Sequence, residues 1–181
     1  MPYDGAARNA LIAFKEHGRA DLTRPLGAAL ARAVALLCAG VGSPVVLVPV
    51  PASLAAIRRR GRDHVLDLAR VAARQLRDRD IPARALPLLR TTRIPADQSG
   101  LDASQRATNV RGAFASRSGH PRMGGELVIL VDDIITTGAT AAESAVTLGA
   151  TGCPPDGVAT VAAALLRRSA GRHTWVTPVE C

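Results

Sequence analysis

The sequence predicts an α/β fold built on a central, mostly parallel sheet. Three observations lead there. Apolar runs at residues 45–50 (VVLVPV), 127–131 (LVILV) and 158–166 (VATVAAALL) lack the alternation of a one-sided strand, as strands covered on both faces do. Segments of helical periodicity lie between them. Finally, 181 residues with 48% hydrophobic and 21% charged content suit one domain with a core large enough to need no staples.

The elements follow in order. Residues 6–17 read as a helix closed by Gly18. Pro25 suits the first turn of a second, mostly apolar helix reaching residue 39. Residues 1–40 thus form a helical hood, and residues 41–181 the core of a single domain. The charge-free stretch 33–57 has the length of a membrane span, but it contains Gly40, Gly42, Pro44, Pro49 and Pro51. Proline removes backbone donors that lipid cannot replace. The stretch parses better as a helix end, a turn and a buried strand at 45–50. A basic turn follows: Arg58, Arg59, Arg60, Gly61 and Arg62. Asp63 can cap the next helix, in which Val65, Leu68, Ala69, Ala72 and Leu76 share one apolar face.

A strand is expected at 85–89. The polar segment 90–109 is too long for a plain connection and reads as a functional loop. Within it, Asp102 and Gln105 have capping-box spacing for a short helix at 103–110. The strand at 127–131 leads through DDIITTGAT into a helix at 141–148, ended by Gly149. After the strand at 158–166, residues 173–177 (HTWVT) read as a candidate last, edge strand.

The formal net charge is +8, and Lys15 is the single lysine among 23 basic residues. Such a balance favours an anionic ligand. Aromatic residues are only 2% of the chain, which counts against a surface that stacks single-stranded bases. Cys38, Cys153 and Cys181 form no CxxC, so no zinc ribbon is expected. His17 and His64 read as surface or capping residues, and His120 and His173 have no metal-ligand spacing. No signal-peptide pattern follows Met1, so a cytoplasmic protein without a membrane partner is expected.

Residues 127–140 carry the chemistry. In open α/β sheets, ligands bind beyond the carboxyl ends of the strands. Asp132 and Asp133 fall at such an end. Two adjacent carboxylates repel, so something cationic or hydrogen-donating should meet them. Thr136, Thr137, Gly138, Ala139 and Thr140 then enter a helix. Small residues let backbone N–H groups approach an anion, hydroxyls add donors, and the helix terminus adds partial positive charge. One edge suits a sugar diol and the other a phosphate. A Walker B strand would need a GxxxxGK[ST] loop, which the chain lacks. The glycines Gly40 and Gly42 precede their strand, so they form no Rossmann turn.

VDDIITTGAT resembles the phosphoribosyl-pyrophosphate (PRPP) motif of type I phosphoribosyltransferases. More of the chain is similar to the competence-related ComF family. The matching pieces are YDG at 3–5, FKEHGR at 14–19 with DL at 21–22, VPVP at 48–51, RRRGRDH at 58–64, and the run at 90–114. In that run the spacing of Gln98, Arg106, Asn109 and Gly112-Ala113-Phe114 points to ComF.

The resemblance implies a five-stranded, mostly parallel sheet with flanking helices and a mobile loop over the site. It implies that Asp132 and Asp133 hold the ribose hydroxyls, partly through Mg²⁺, and that Thr136 to Thr140 wrap the 5-phosphate. Ala52 and Ser53 would face pyrophosphate, with Arg58, Arg60 and Arg62 as charge partners. Arg90 opens the position of the catalytic loop and joins the two acids as a catalytic candidate. The implied reaction is displacement of pyrophosphate at the anomeric carbon by an unidentified acceptor. Thr136 stands where purine-salvage relatives often carry an acid, which disfavours hypoxanthine or guanine. The family's four-cysteine zinc module has no counterpart in these residues. The alternative is a non-catalytic nucleotide- or nucleic-acid-binding module linked to DNA uptake, and the reading leaves a homo-oligomer open.

Overall fold

The computed structural model describes residues 1–93, 103–117 and 124–164, apart from the side chains of residues 103, 104, 106 and 107. Helix α1 (Gly5–Glu16) is followed by a 3-10 turn (Ala20–Leu22) and α2 (Thr23–Leu37). Strand β1 (Val45–Pro49) leads to α3 (Leu54–Arg60) and α4 (His64–Arg77). Short strands β2 (Ala83–Ala85) and β3 (Leu89–Thr91), helix α5 (Ala103–Val110) and strand β4 (Phe114–Ser116) come next. Then follow β5 (Leu127–Ile135), α6 (Ala139–Gly149) and β6 (Gly157–Ala163).

The main sheet has the order β2-β1-β5-β6, and every pairing in it is parallel. The expected α/β class is therefore the observed one. Among the described residues the sheet has four strands, where five were expected. A single parallel bridge from Pro2 to Ala163 extends it beyond β6. The edge strand expected at 173–177 lies outside the described residues.

Alternation across the strands builds two layers of core. Val45, Leu47, Ile129 and Val131 face α1, α2 and α4, where Phe14, Leu30, Leu68 and Leu76 are fully buried. Val46, Val48, Val128 and Leu130 face the other way, onto Leu148 of α6 and onto Leu88 and Leu89. The five apolar residues expected on one face of α4 are all buried, and the Asp63 carboxylate accepts from the Leu66 amide at 3.1 Å as its cap.

Several boundaries differ from expectation. The strand expected at 85–89 is broken: β2 ends at Ala85, and β3 starts at Leu89 in a separate antiparallel ribbon with β4. Pro87 stands in the break and has no N–H for a ladder. The expected basic turn is instead the last turn of α3, stopped by Gly61 at φ +72°. The charge-free stretch 33–57 resolves into the end of α2, a turn, buried β1 and the start of α3. No helix among the described residues is long and apolar enough to cross a membrane.

Candidate functional site

From β1 the chain crosses to β2 on one side. From β2 it returns to β5 on the other side of β1. The β1/β5 junction is thus a topological switch point, the place where open parallel sheets leave a crevice at their carboxyl ends. Strand β1 stops at Pro49, in register with Val131, whereas β5 runs on beside β6 to Ile135. Asp132 and Asp133 therefore lie inside β5 but past the end of β1, a finer placement than the strand end expected for them. At Asp132 the ladder partner that remains is Thr160 of β6.

The period of two sends the acids to opposite faces. Asp132 is half-buried and opens on a cleft lined also by Ile134, Thr136, Thr137, Gly138, Thr140 and Thr160. Ala139 belongs to the same wall. Gly138 sits at φ +78° immediately before α6, a left-handed conformation that favours glycine. The turn leads straight into α6, whose first amides have no carbonyl of their own helix to meet. The Thr137 hydroxyl accepts from the Ala139 amide at 3.4 Å. Thr160 was missed by sequence reasoning. Its only signal is its register opposite Asp132.

Asp133 faces the α1–α4 layer and is buried, with its carboxylate 2.8 Å from Lys15 Nζ. The cation anticipated beside the acids is thus the chain's lone lysine, placed by α1. The Asp133 amide donates to Asp132 Oδ1 at 2.8 Å. Burial, then the neighbouring Asp133 carboxylate, push the Asp132 carboxyl well above the ordinary range, with Lys15 acting the other way. A carboxylate so placed favours a cationic or hydrogen-donating ligand.

The remaining predicted residues do not line this cleft. Ala52 and Ser53 sit in the loop after β1. The Ser53 hydroxyl caps α3 by accepting from the Ala56 amide at 3.1 Å, and the Ala52 carbonyl accepts from Thr91 Oγ1 at 3.1 Å. Arg60 pairs with Glu16 at 2.7 Å. Arg62 pairs with Asp67 at 3.0 Å, donates to Thr23 Oγ1 and lies 4.9 Å from the Phe14 ring centre. These two arginines join the hood to the core, where charge partners for pyrophosphate were expected. Arg58 is exposed, as is Arg90 within the β3–β4 ribbon. The Gln98 and Asp102 expectations lie outside the described residues, as does the side chain of Arg106.

His17 is exposed. His64 is buried rather than at the surface, and it takes the expected capping role on the last turn of α1. Its Nε2 lies 3.0 Å from the Phe14 carbonyl oxygen, and its ring meets the Phe14 ring edge-on. A carbonyl only accepts, so Nε2 carries the proton. Burial, followed by Arg60 and Arg62, lowers the His64 pKa, partly offset by Asp133.

Among the described residues no group of three or more histidine, cysteine or acidic side chains could hold a metal. For Mg²⁺ the cleft offers one carboxylate, Asp132, because Asp133 faces Lys15. That suits an ion held mainly by phosphate oxygens rather than one in a protein cage. Cys38 and Cys153 are buried and form no disulfide among the described residues. Comparison with models of known protein families and with curated proteins gives no match.

Proposed function

We propose that this chain is a phosphoribosyltransferase-like protein of ComF type, binding PRPP and transferring phosphoribose to an acceptor with release of pyrophosphate. One observation carries the reading: a carboxylate and a Thr/Gly helix-entry turn share a single cleft at the carboxyl end of β5, beside Thr160 of β6. The two chemistries fit the two ends of a ribose 5-phosphate. The resemblance of VDDIITTGAT to the PRPP motif supports the same assignment.

In this reading Asp132 accepts hydrogen bonds from the ribose hydroxyls. The turn at Thr136, Thr137 and Gly138 and the first amides of α6 hold the 5-phosphate, where the helix dipole contributes up to about 2 kcal/mol. The C1–O bond to pyrophosphate breaks, its electron pair leaves with the pyrophosphate, and the acceptor's lone pair forms the new bond to C1. The ionised Asp132 carboxylate, favoured by the ribose hydroxyls and by bound Mg²⁺, would then face the charge developing on the ribose ring. Asp132 is the protein carboxylate that would face Mg²⁺ carried in on PRPP, where the ion would offset the charge of the leaving pyrophosphate. The acidic residue used by purine-salvage relatives is replaced here by Thr136, so the acceptor is sought among amines and other bases.

The test is a pyrophosphate-release screen over bases and amines with PRPP and Mg²⁺. Acceptor-dependent release by the wild-type chain, lost in Asp132→Asn, supports the reading. No release with any acceptor, together with no PRPP binding, rejects it.

A further inference from the structure

Three consecutive residues at the end of α1 are gripped by three different elements. The Phe14 carbonyl accepts from His64 of α4, and Glu16 pairs with Arg60 of α3. Between them Lys15 reaches Asp133 of β5 at 2.8 Å. Asp133 in turn donates its amide to Asp132 Oδ1, at 2.8 Å. Two short contacts therefore join the Lys15 ammonium to the carboxylate that lines the cleft.

The stretch of β5 involved is held within the sheet from one side. β1 ends in register with Val131, so at Asp132 and Asp133 the strand keeps a sheet neighbour only on the β6 side. On the face toward α1, the Asp133 side chain is held by its ion pair with Lys15. The Asp133 side chain is 5% exposed, and that of Lys15 is 28% exposed. Without the ammonium, a nearly buried carboxylate loses its counter-charge. Such a group is costly enough to drive local rearrangement toward water. The residue that would move adjoins Asp132.

We propose that Lys15 is a positioning residue for the cleft: by holding Asp133 on the hood side of β5, it fixes the strand turn that presents Asp132 to the ligand. This inference rests on the sugar-phosphate reading of the cleft. It also gives the N-terminal helix a role in binding without any contact to the ligand. A merely structural role would make ligand affinity follow fold stability, and the two roles separate on that point.

The experiment uses the full chain as wild type, Lys15→Arg, Lys15→Met and the double variant Lys15→Met/Asp133→Asn. Calorimetry with PRPP and Mg²⁺ gives affinity, thermal unfolding gives stability, and amide exchange without ligand reports on residues 132–140. Lys15→Met should bind PRPP about tenfold more weakly. Lys15→Arg should stay close to wild type, because the open side of Lys15 admits a guanidinium. The double variant has no orphaned charge, so its thermal midpoint should recover above that of Lys15→Met while its affinity stays low. Unchanged affinity in Lys15→Met, or affinity that recovers with stability in the double variant, overturns the proposal. A wild-type chain that does not bind PRPP rejects the sugar-phosphate reading, and amide exchange then decides the positioning role alone. Faster exchange at 132–140 in Lys15→Met and the double variant, but not in Lys15→Arg, upholds it; equal exchange in all four overturns it.

Discussion

Neighbouring side chains of one strand do different work here. Asp132 and Asp133 read as an equivalent pair in sequence, yet the pleat gives one to the cleft and the other to Lys15. His64 makes a second residue-scale point. Its folded-state pKa lies below the ordinary 6.5 because burial, Arg60 and Arg62 oppose the charge. The unfolded chain then binds the proton more readily than the folded one. His64 contributes stability that is present above about pH 6.5 and is lost as pH falls from there toward its folded value. Thermal midpoints measured between about pH 7.5 and pH 5 should fall more steeply for wild type than for His64→Gln. Equal slopes would contradict this account of His64.

At the scale of elements, long periodic segments were legible and interrupted ones were not. The apolar face of α4 and the unalternating strand β1 follow directly from hydrophobic spacing. The break at Pro87 did not, because residues 85–89 are apolar enough to pass for one strand. The helical character of α3 was hidden because Arg58, Arg59 and Arg60 read as a solvated turn, whereas Ser53 and Gly61 cap them into a helix. The cleft's Thr/Gly turn was legible because glycine and threonine before a helix have a local chemical meaning. Lys15 had no such signal, since its partner lies far along the chain.

Two helix junctions carry element-scale predictions. On α2, a Cβ added to Gly27 would lie 2.5 Å from Val71 Cγ1 and 2.6 Å from Val71 Cβ. Gly27→Ala should therefore destabilise the chain by about 1–3 kcal/mol in denaturant unfolding, despite alanine's better helix propensity, and Val71→Ala should relieve part of that loss. A stabilised Gly27→Ala would refute the close packing of α2 on α4. Before α6, Gly138→Ala should cost about 1–2 kcal/mol through its left-handed backbone and weaken PRPP binding as the turn reshapes. Binding and stability equal to wild type would show that the turn does not depend on glycine.

Across the whole molecule, part of the formal charge of +8 is taken up inside the fold. Arg60 and Arg62, read as ligand partners, are engaged by Glu16 and Asp67 and clasp the hood to the core. The remaining basic surface acts at longer range, drawing in anions through a field that salt screens over about 10 Å at 0.1 M. The PRPP association rate should accordingly fall as ionic strength rises, as stopped-flow measurement would show; a rate independent of salt would remove net charge from the account.

The most direct measurement is calorimetric titration of PRPP with Mg²⁺ into the wild-type chain and into Asp132→Asn. Charge-assisted hydrogen bonds are worth about 1.5–3 kcal/mol each. The wild-type chain should bind PRPP saturably, and Asp132→Asn at least about tenfold more weakly. Absence of binding by the folded wild-type chain, or the same affinity in both, would contradict the claim that this cleft grips an activated sugar phosphate.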